Sequence, residues 1–414
     1  MNNEILKGAK TPTPMAHYCQ GVLHHNTIYA AGQIASDYQT GVPSEAKQAA
    51  AFPYYGSNIQ KQARYVLQNL QSVFASAGSD FKDVVKSQVF LTDLNDFYYF
   101  DQIWKEFFPV PPPRTTVEIG ALLVPGCKVE IDLWGVKSQV PRQVIIGAKT
   151  PTPMAHYSQG ILIENILYAA GQIASDYQTG VAPEAIQDPA FPYYGSNIQK
   201  QTRYILNNIQ SVFDSAGCDF KDVVKAQIFL TDLNDFYYFD QAWKDYFHHS
   251  VPRTIVEVQK LLVPGCRIEI DLWGVLPNTP KKEIHVQNNE QPSFCHGLIV
   301  NDTLYASGQI ASDHKTPLIQ IAHQDPSFPF YGSEIQKQTR FVMNNFQKLY
   351  QQGGFDLADT VKAQVFLSDL NDFYYFDQIW KEYFPSPPPR TTLEVGKFLV
   401  PGCKVQVDLT AAKN

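Results

Sequence analysis

Methionine and tryptophan are scarce in this chain, at 4 and 5 of 414 residues, and only 18% of its residues are charged. The 33 lysines and arginines are outnumbered by 40 aspartates and glutamates, for a formal charge of -7. A surface that tracks phosphates needs an excess of cations, so no nucleic-acid partner is expected. No apolar run approaches the roughly 20 residues of a membrane span. The opening MNNEILKGAK is not a basic, apolar leader. A soluble, cytoplasmic protein with no membrane partner is predicted. The six cysteines are too few for a bridged framework: Cys127, Cys266 and Cys403 recur in one context, Cys19 and Cys295 in another, and Cys218 stands alone. Such thiols read as packed side chains of a reducing compartment. No phosphate-cradling glycine loop occurs. His17, His156, His248 and His249 have no acid or cysteine at ligand spacing, so neither metal nor cofactor is expected.

What the chain has in abundance is itself. LNDFYYFDQ occurs at Leu94 to Gln102, Leu233 to Gln241 and Leu370 to Gln378, with offsets of 139 and 137 residues. In the same order around it return GQIASD after Gly32, Gly171 and Gly308, Pro-Arg-Thr at Pro113, Pro252 and Pro389, and VPGC ending at Cys127, Cys266 and Cys403. The period far exceeds the roughly 20 to 50 residues of solenoid repeats, so each copy carries its own core. Three domains are expected, 1–138, 139–277 and 278–414, joined by short polar, proline-bearing segments.

Within one copy, Thr27 to Ala31 reads as a strand before a turn-rich segment. Ser57 offers a helix N-cap, and Ile59, Ala63, Leu67, Leu70, Phe74 and Ala77 repeat at helical spacing until Gly78. Val85 to Leu91 reads as a strand. Asp96 to Phe108 returns to helical spacing, its aromatic cluster Phe97 to Phe100 reading as core, and stops at prolines. Two more strands are expected over Thr115 to Ala121 and Lys128 to Val136. The fold class is therefore α+β, a mixed sheet with two helices on one face. In the last strand Val129, Ile131 and Leu133 share one face, while Glu130, Asp132 and Trp134 share the other. That second face needs a partner, and three tethered copies supply one by closing into an intramolecular pseudo-trimer, monomeric as a chain.

The ordered string VVKSQVFLTDLNDF, FFP, PPRTTVEI and KVEIDL, after a GQ turn and a long helix, resembles the RidA/YjgF family of reactive-intermediate deaminases in every copy. The resemblance implies a chorismate-mutase-like fold, clefts between neighbouring units, no cofactor, and hydrolysis of small enamine or imine carboxylates to keto acid and ammonia. It implies that Arg114, Arg253 and Arg390 bind the carboxylate, a role suited to the parallel donors of a guanidinium. Glu130 and Glu269 would hold or deprotonate water, Tyr18 and Tyr157 would line the substrate site, and the main chain at Gly32, Gly171 and Gly308 would meet the carboxylate. Ser307, matching the family's serine before the GQ turn, would join the substrate site in the third copy, where Ala31 and Ala170 precede the other turns. The third copy also carries Phe294 and Gln406 in place of tyrosine and glutamate. An extra stretch, Lys47 to Tyr55, is expected to reshape or cover the cleft.

A structural role for each arginine is an ion pair with Glu130 or Asp132; Glu118, about 13 Å along its own strand, is too far. The departures also bear on cleft sharing. Were arginine and glutamate from one copy and tyrosine from the next, Phe294 and Gln406 would spoil two clefts. Were all three from one copy, both losses would fall in one. A non-catalytic, carboxylate-binding or protective protein is the alternative function.

Overall fold

The computed structural model describes every residue except 1–2, 49, 52, 191, 194, 287–294, 313–321, 324–326, 328–329, 331 and 414. The first unit comprises β1 (Glu4–Leu6), β2 (Gly21–His24), β3 (Thr27–Ala30), β4 (Gln33–Ile34), α1 (Ser57–Ser76), β5 (Val84–Leu91), α2 (Phe97–Phe107), β6 (Arg114–Glu118), β7 (Ala121–Leu122) and β8 (Val129–Val136). Its sheet runs β1-β2-β3-β8-β5-β6, with β4 paired to β8. β5 and β6 are parallel, which requires a crossover, and α2 supplies it. Ile59, Ala63, Leu67, Leu70 and Phe74 of α1 are buried with Val89, Ile131 and Leu133 of the sheet, as the apolar spacing predicts. The plan recurs twice, with long helices Ser196–Ser215 and Ser333–Gly353 and short ones Phe236–Lys244 and Phe373–Tyr383.

Local departures from the sequence reading have identifiable causes. Thr27–Ala30 is one arm of a hairpin with β2, whose short apolar run Gly21–His24 the sequence reading passed over. Ser57 is the first helical residue and caps nothing; Gly56 precedes it, under the Tyr99 ring, where a Cβ would stand 2.2 Å from ring atoms. The predicted strand Thr115 to Ala121 divides at Ile119 and Gly120, because the Gly120 amide turns to donate to Glu394 O of the third unit (3.0 Å). Asp96 belongs to a short 3-10 turn before α2, capped by Asp93.

The uncovered sheet faces meet one another. Gly120 N donates to Glu394 O, Gln259 N to Glu118 O and Gly396 N to Glu257 O, so each unit's edge strand is hydrogen-bonded to another unit. Where the faces converge, Lys86 pairs with Asp271 (2.6 Å), Lys225 with Asp408 (2.7 Å) and Lys362 with Asp132, each lysine and its aspartate coming from different units. Gln88 donates to Gln227, Gln227 to Gln364 (2.5 Å each) and Gln364 back to Gln88 (2.7 Å). A cyclic triangle of this kind closes only about a threefold axis. Burial pushes all three lysines below the ordinary ammonium range, and the facing aspartates oppose it. Removing one partner of such a pair costs about 3–5 kcal/mol, so the network specifies the ring more than it stabilises it.

The Lys47–Tyr55 stretch does not cover a cleft in its described residues. Gln48 N donates to Asn58 (2.6 Å), and the Tyr54 and Tyr55 rings pack on Tyr99, so the segment is tied to the start of α1.

Candidate active clefts at the seams

The seam between the first and third units encloses a cavity of about 450 Å³. Tyr18, Gly32, Tyr38 and Glu130 of the first unit line it, and Arg390 and Thr392 come from the third. At the next seam Arg114 of the first unit acts electrostatically on Tyr157 and Glu269 of the second, and Thr116 N donates to Glu269 Oε1 (3.4 Å). At the last, Gly308 N of the third unit donates to Arg253 O of the second (3.1 Å). Tyrosine and glutamate thus come from one unit and arginine from its neighbour. Neither sharing scheme drawn from the sequence has this form, because strand register cannot say which unit's edge lies over which face. Gln406 falls in the cleft that holds Arg253, and the Tyr18 and Tyr157 clefts keep their glutamates. Phe294 lies outside the described residues.

Each arginine opens a short strand whose partner begins at Ser87, Ala226 or Ala363, so its place is fixed by the sheet. Its acid partner is neither Glu130 nor Asp132. Arg114 pairs with Asp101 and Arg390 with Asp377, both at 2.9 Å, and Arg253 donates to Asp240 (2.8 Å). These aspartates lie in the LNDFYYFDQ repeat, where helical spacing turns them toward the strand; the repeat was the available signal, and it was read as core. Phe97, Phe100 and Trp104 place their rings 5.1–5.6 Å from the Arg114 guanidinium carbon, with a matching set around Arg390. Among the described residues Arg253 keeps Trp243 alone. Nη1 of Arg114 and of Arg390 is buried without a hydrogen-bond partner among the described residues. Donors so desolvated and unfilled suit an incoming carboxylate.

Glu130 and Glu269 are almost fully buried, and both are pushed up to about 8. Desolvation is the main cause, with Asp132 or Asp271 next along the strand adding to it; lysine, arginine and a backbone amide pull the other way. A carboxyl of this kind holds its proton at neutral pH yet can release it. Gly32 and Gly171 serve by approach: a Cβ there would stand 2.0 and 2.2 Å from the glutamate Oε1. The Gly32 amide donates to Thr391 Oγ1 (3.1 Å), so it is engaged with the neighbouring unit.

Tyr18 donates to Tyr38 (2.6 Å), and Tyr157 stands 3.0 Å from Tyr177. Burial pushes the Tyr157 hydroxyl up to about 12 and Tyr18 up as well, so both are neutral donors. Tyr38 and Tyr177 were missed because they sit in a turn-rich loop with no periodic signal. Ser307 is spent on the main chain: its hydroxyl donates to Cys295 O (2.6 Å) and accepts from Arg253 N (3.0 Å). His17 and His156 reach Phe384 O and Phe108 O across the seams. All six cysteines are free and buried. No helix among the described residues is long and apolar enough to cross a membrane.

Fold and seams together define a three-unit α+β ring with acid, cation and paired phenols gathered between units. A family model described as Endoribonuclease L-PSP matches residues 8–136, 147–275 and 288–413. The chain belongs to that family, RidA/YjgF, three times over. A bovine 2-iminobutanoate/2-iminopropanoate deaminase is 33% identical over 139 residues, 33% of this chain and 93% of the relative. The human deaminase of the same name is 31% identical over 138 residues, again 33% of this chain and 93% of the relative. A RutC family protein of Pyrococcus abyssi is 36% identical over 121 residues, 29% of this chain and 87% of the relative. Among solved structures, E. coli TdcF with bound serine is 29% identical and spans 33% of this chain and 99% of its own, with a TM-score of 0.28.

Proposed function

We propose that the chain is a hydrolytic deaminase of small 2-imino or 2-enamino carboxylates, giving the 2-keto acid and ammonia. The observation that carries this is a buried glutamate poised near neutrality, in one cavity with a buried arginine that has an unfilled donor. The names of the bovine and human relatives support it.

Arg390 or Arg114 receives the substrate carboxylate on its open edge and fixes the plane of the attached C=N bond. The carboxyl of Glu130 or Glu269 gives its proton to the imine nitrogen, or to the terminal carbon of an enamine, forming the iminium ion. The resulting carboxylate accepts a proton from water as the water oxygen bonds to C2. Returned to nitrogen, that proton lets the C–N bond break, and ammonia leaves as the C2 hydroxyl gives its proton to the glutamate carboxylate, forming the ketone and restoring the acid. Imine and water go in; keto acid and ammonia come out. Such proton transfer contributes about 10²–10⁴-fold. The tyrosine pairs act as neutral donors toward substrate or water. Leu123, Val124 and Phe373 give the cavity an apolar side that accommodates an alkyl side chain on the imine.

Gln406 favours a second role for the third cleft: it can hold water or ligand but cannot take a proton, so that cleft binds without turnover. The test generates 2-aminoacrylate or 2-iminobutyrate in situ and follows keto acid or ammonia. Faster release with the protein supports the proposal; equal rates with and without it refute hydrolysis of those substrates. The particle is proposed to act as a single chain in the cytoplasm.

A further inference from the structure

The tips of the β2–β3 hairpins gather around one end of the ring, and the first and third units' tips carry unlike residues. His24 and His25 stand on the first unit's tip; Ile163 and Glu164 hold the equivalent places in the second, and Val300 and Asn301 in the third. Asp302 follows on the third unit's tip and faces both histidines. Its Oδ2 is 3.8 Å from His24 Nε2 and 3.5 Å from His25 Nε2. One ligand atom from each residue lies within 4.8 Å of the others.

His24 is the decisive member. It is 6% exposed, and its Nε2 is buried with no hydrogen-bond partner among the described residues. Its other ring nitrogen, Nδ1, lies 2.8 Å from Asn3 Oδ1. An amide oxygen can only accept, so Nδ1 carries the hydrogen, and Nε2 is the ring nitrogen that faces the carboxylate. The amide that holds the ring is the kind of outer partner that orients a metal-ligating histidine. Around a tetrahedral ion with ligand distances of about 2.0–2.2 Å, donor atoms stand about 3.3 Å apart; the carboxylate spacings of 3.5 and 3.8 Å are already near that, and the two imidazoles, within 4.8 Å of each other, close the rest. His25 and Asp302, 51% and 44% exposed, are free to make it.

We propose that His24, His25 and Asp302 form a site for one divalent late transition ion, Zn²⁺ by its two imidazoles and one carboxylate, with a fourth position open to water. The site spans the seam between the first and third units. Those two units are not consecutive in sequence; the other seams are tethered by the joints near 137–143 and 276–283. The ion therefore clips the seam that has no direct joint, and because the ligand set occurs on one pair of tips among the described residues, one ion binds per chain.

Calorimetry with Zn²⁺, and visible absorption with Co²⁺, on the untagged, chelator-stripped full chain test this independently of any deaminase activity. One equivalent is expected, with affinity lowered at least about tenfold in His25→Ala and Asp302→Asn and similarly in Asn3→Ala. Zn²⁺ should raise the thermal midpoint of the parent more than that of those variants at equal concentration. His25 and Asp302 are surface residues, so their variants fold. Binding that is absent in the parent, or of equal strength in parent and both variants, overturns the proposal.

Discussion

Combining Glu130→Gln with each arginine substitution in turn reveals which arginine completes which cleft. Glu130→Gln removes the proton carrier of the first cleft, a loss of about 10²–10⁴-fold there. The chain then retains the cleft built by Glu269 and Arg114, roughly half of the parent rate if the two clefts are equivalent. Adding Arg390→Lys changes little, because Arg390 serves the cleft already silenced. Adding Arg114→Lys removes two charge-assisted hydrogen bonds at about 1.5–3 kcal/mol each, on the order of 10²–10⁴-fold, and nothing active remains. Adding Arg253→Lys leaves the half intact, since its cleft holds Gln406. Lysine is used because alanine would strand Asp101, Asp240 or Asp377 without its cation, with a folding cost of about 3–5 kcal/mol. The assay is initial keto-acid release from imine formed in situ, normalised to folded protein. Near-total loss in Glu130→Gln/Arg253→Lys, with half retained in Glu130→Gln/Arg114→Lys, would refute the sharing of clefts between neighbours.

Activity is expected to fall as pH rises through about 8, where Glu130 and Glu269 lose their protons; a profile flat across that range contradicts the acid role. The same groups set a stability slope. Their folded affinity for the proton exceeds the unfolded one, so the stability they contribute is complete below the ordinary glutamate range and lost as pH climbs through about 8. Denaturant midpoints should show that decline in the parent and a shallower one in Glu130→Gln/Glu269→Gln. Gly32→Ala drives a methyl group into the Glu130 carboxyl and should silence the first cleft alone, halving the rate per chain, while Gly32→Ala/Gly171→Ala silences both. Sedimentation at rising concentration should show one species of single-chain mass; a dominant species near three times that mass contradicts a self-contained ring.

The sequence by itself determined that there are three equivalent units, which residues make each core, and which arginines and glutamates to suspect. Those properties rest on local periodicity and on exact recurrence, and both are written along the chain. Val129, Ile131 and Leu133 alternate with Glu130, Asp132 and Trp134, so the division of β8 into a helix face and an interface face is visible from spacing alone. Only the tertiary structure decided what the second face meets. Arg390 lies 260 residues from Glu130 in the chain and shares a cavity with it, while Asp101, inside a run that reads as core, proves to be the arginine's partner. His25 and Asp302 are likewise distant in sequence and 3.5 Å apart in space. Closure about a threefold axis creates these neighbours, and a sequence pattern holds no record of which edge will lie over which face, because every copy offers the same edge and the same face.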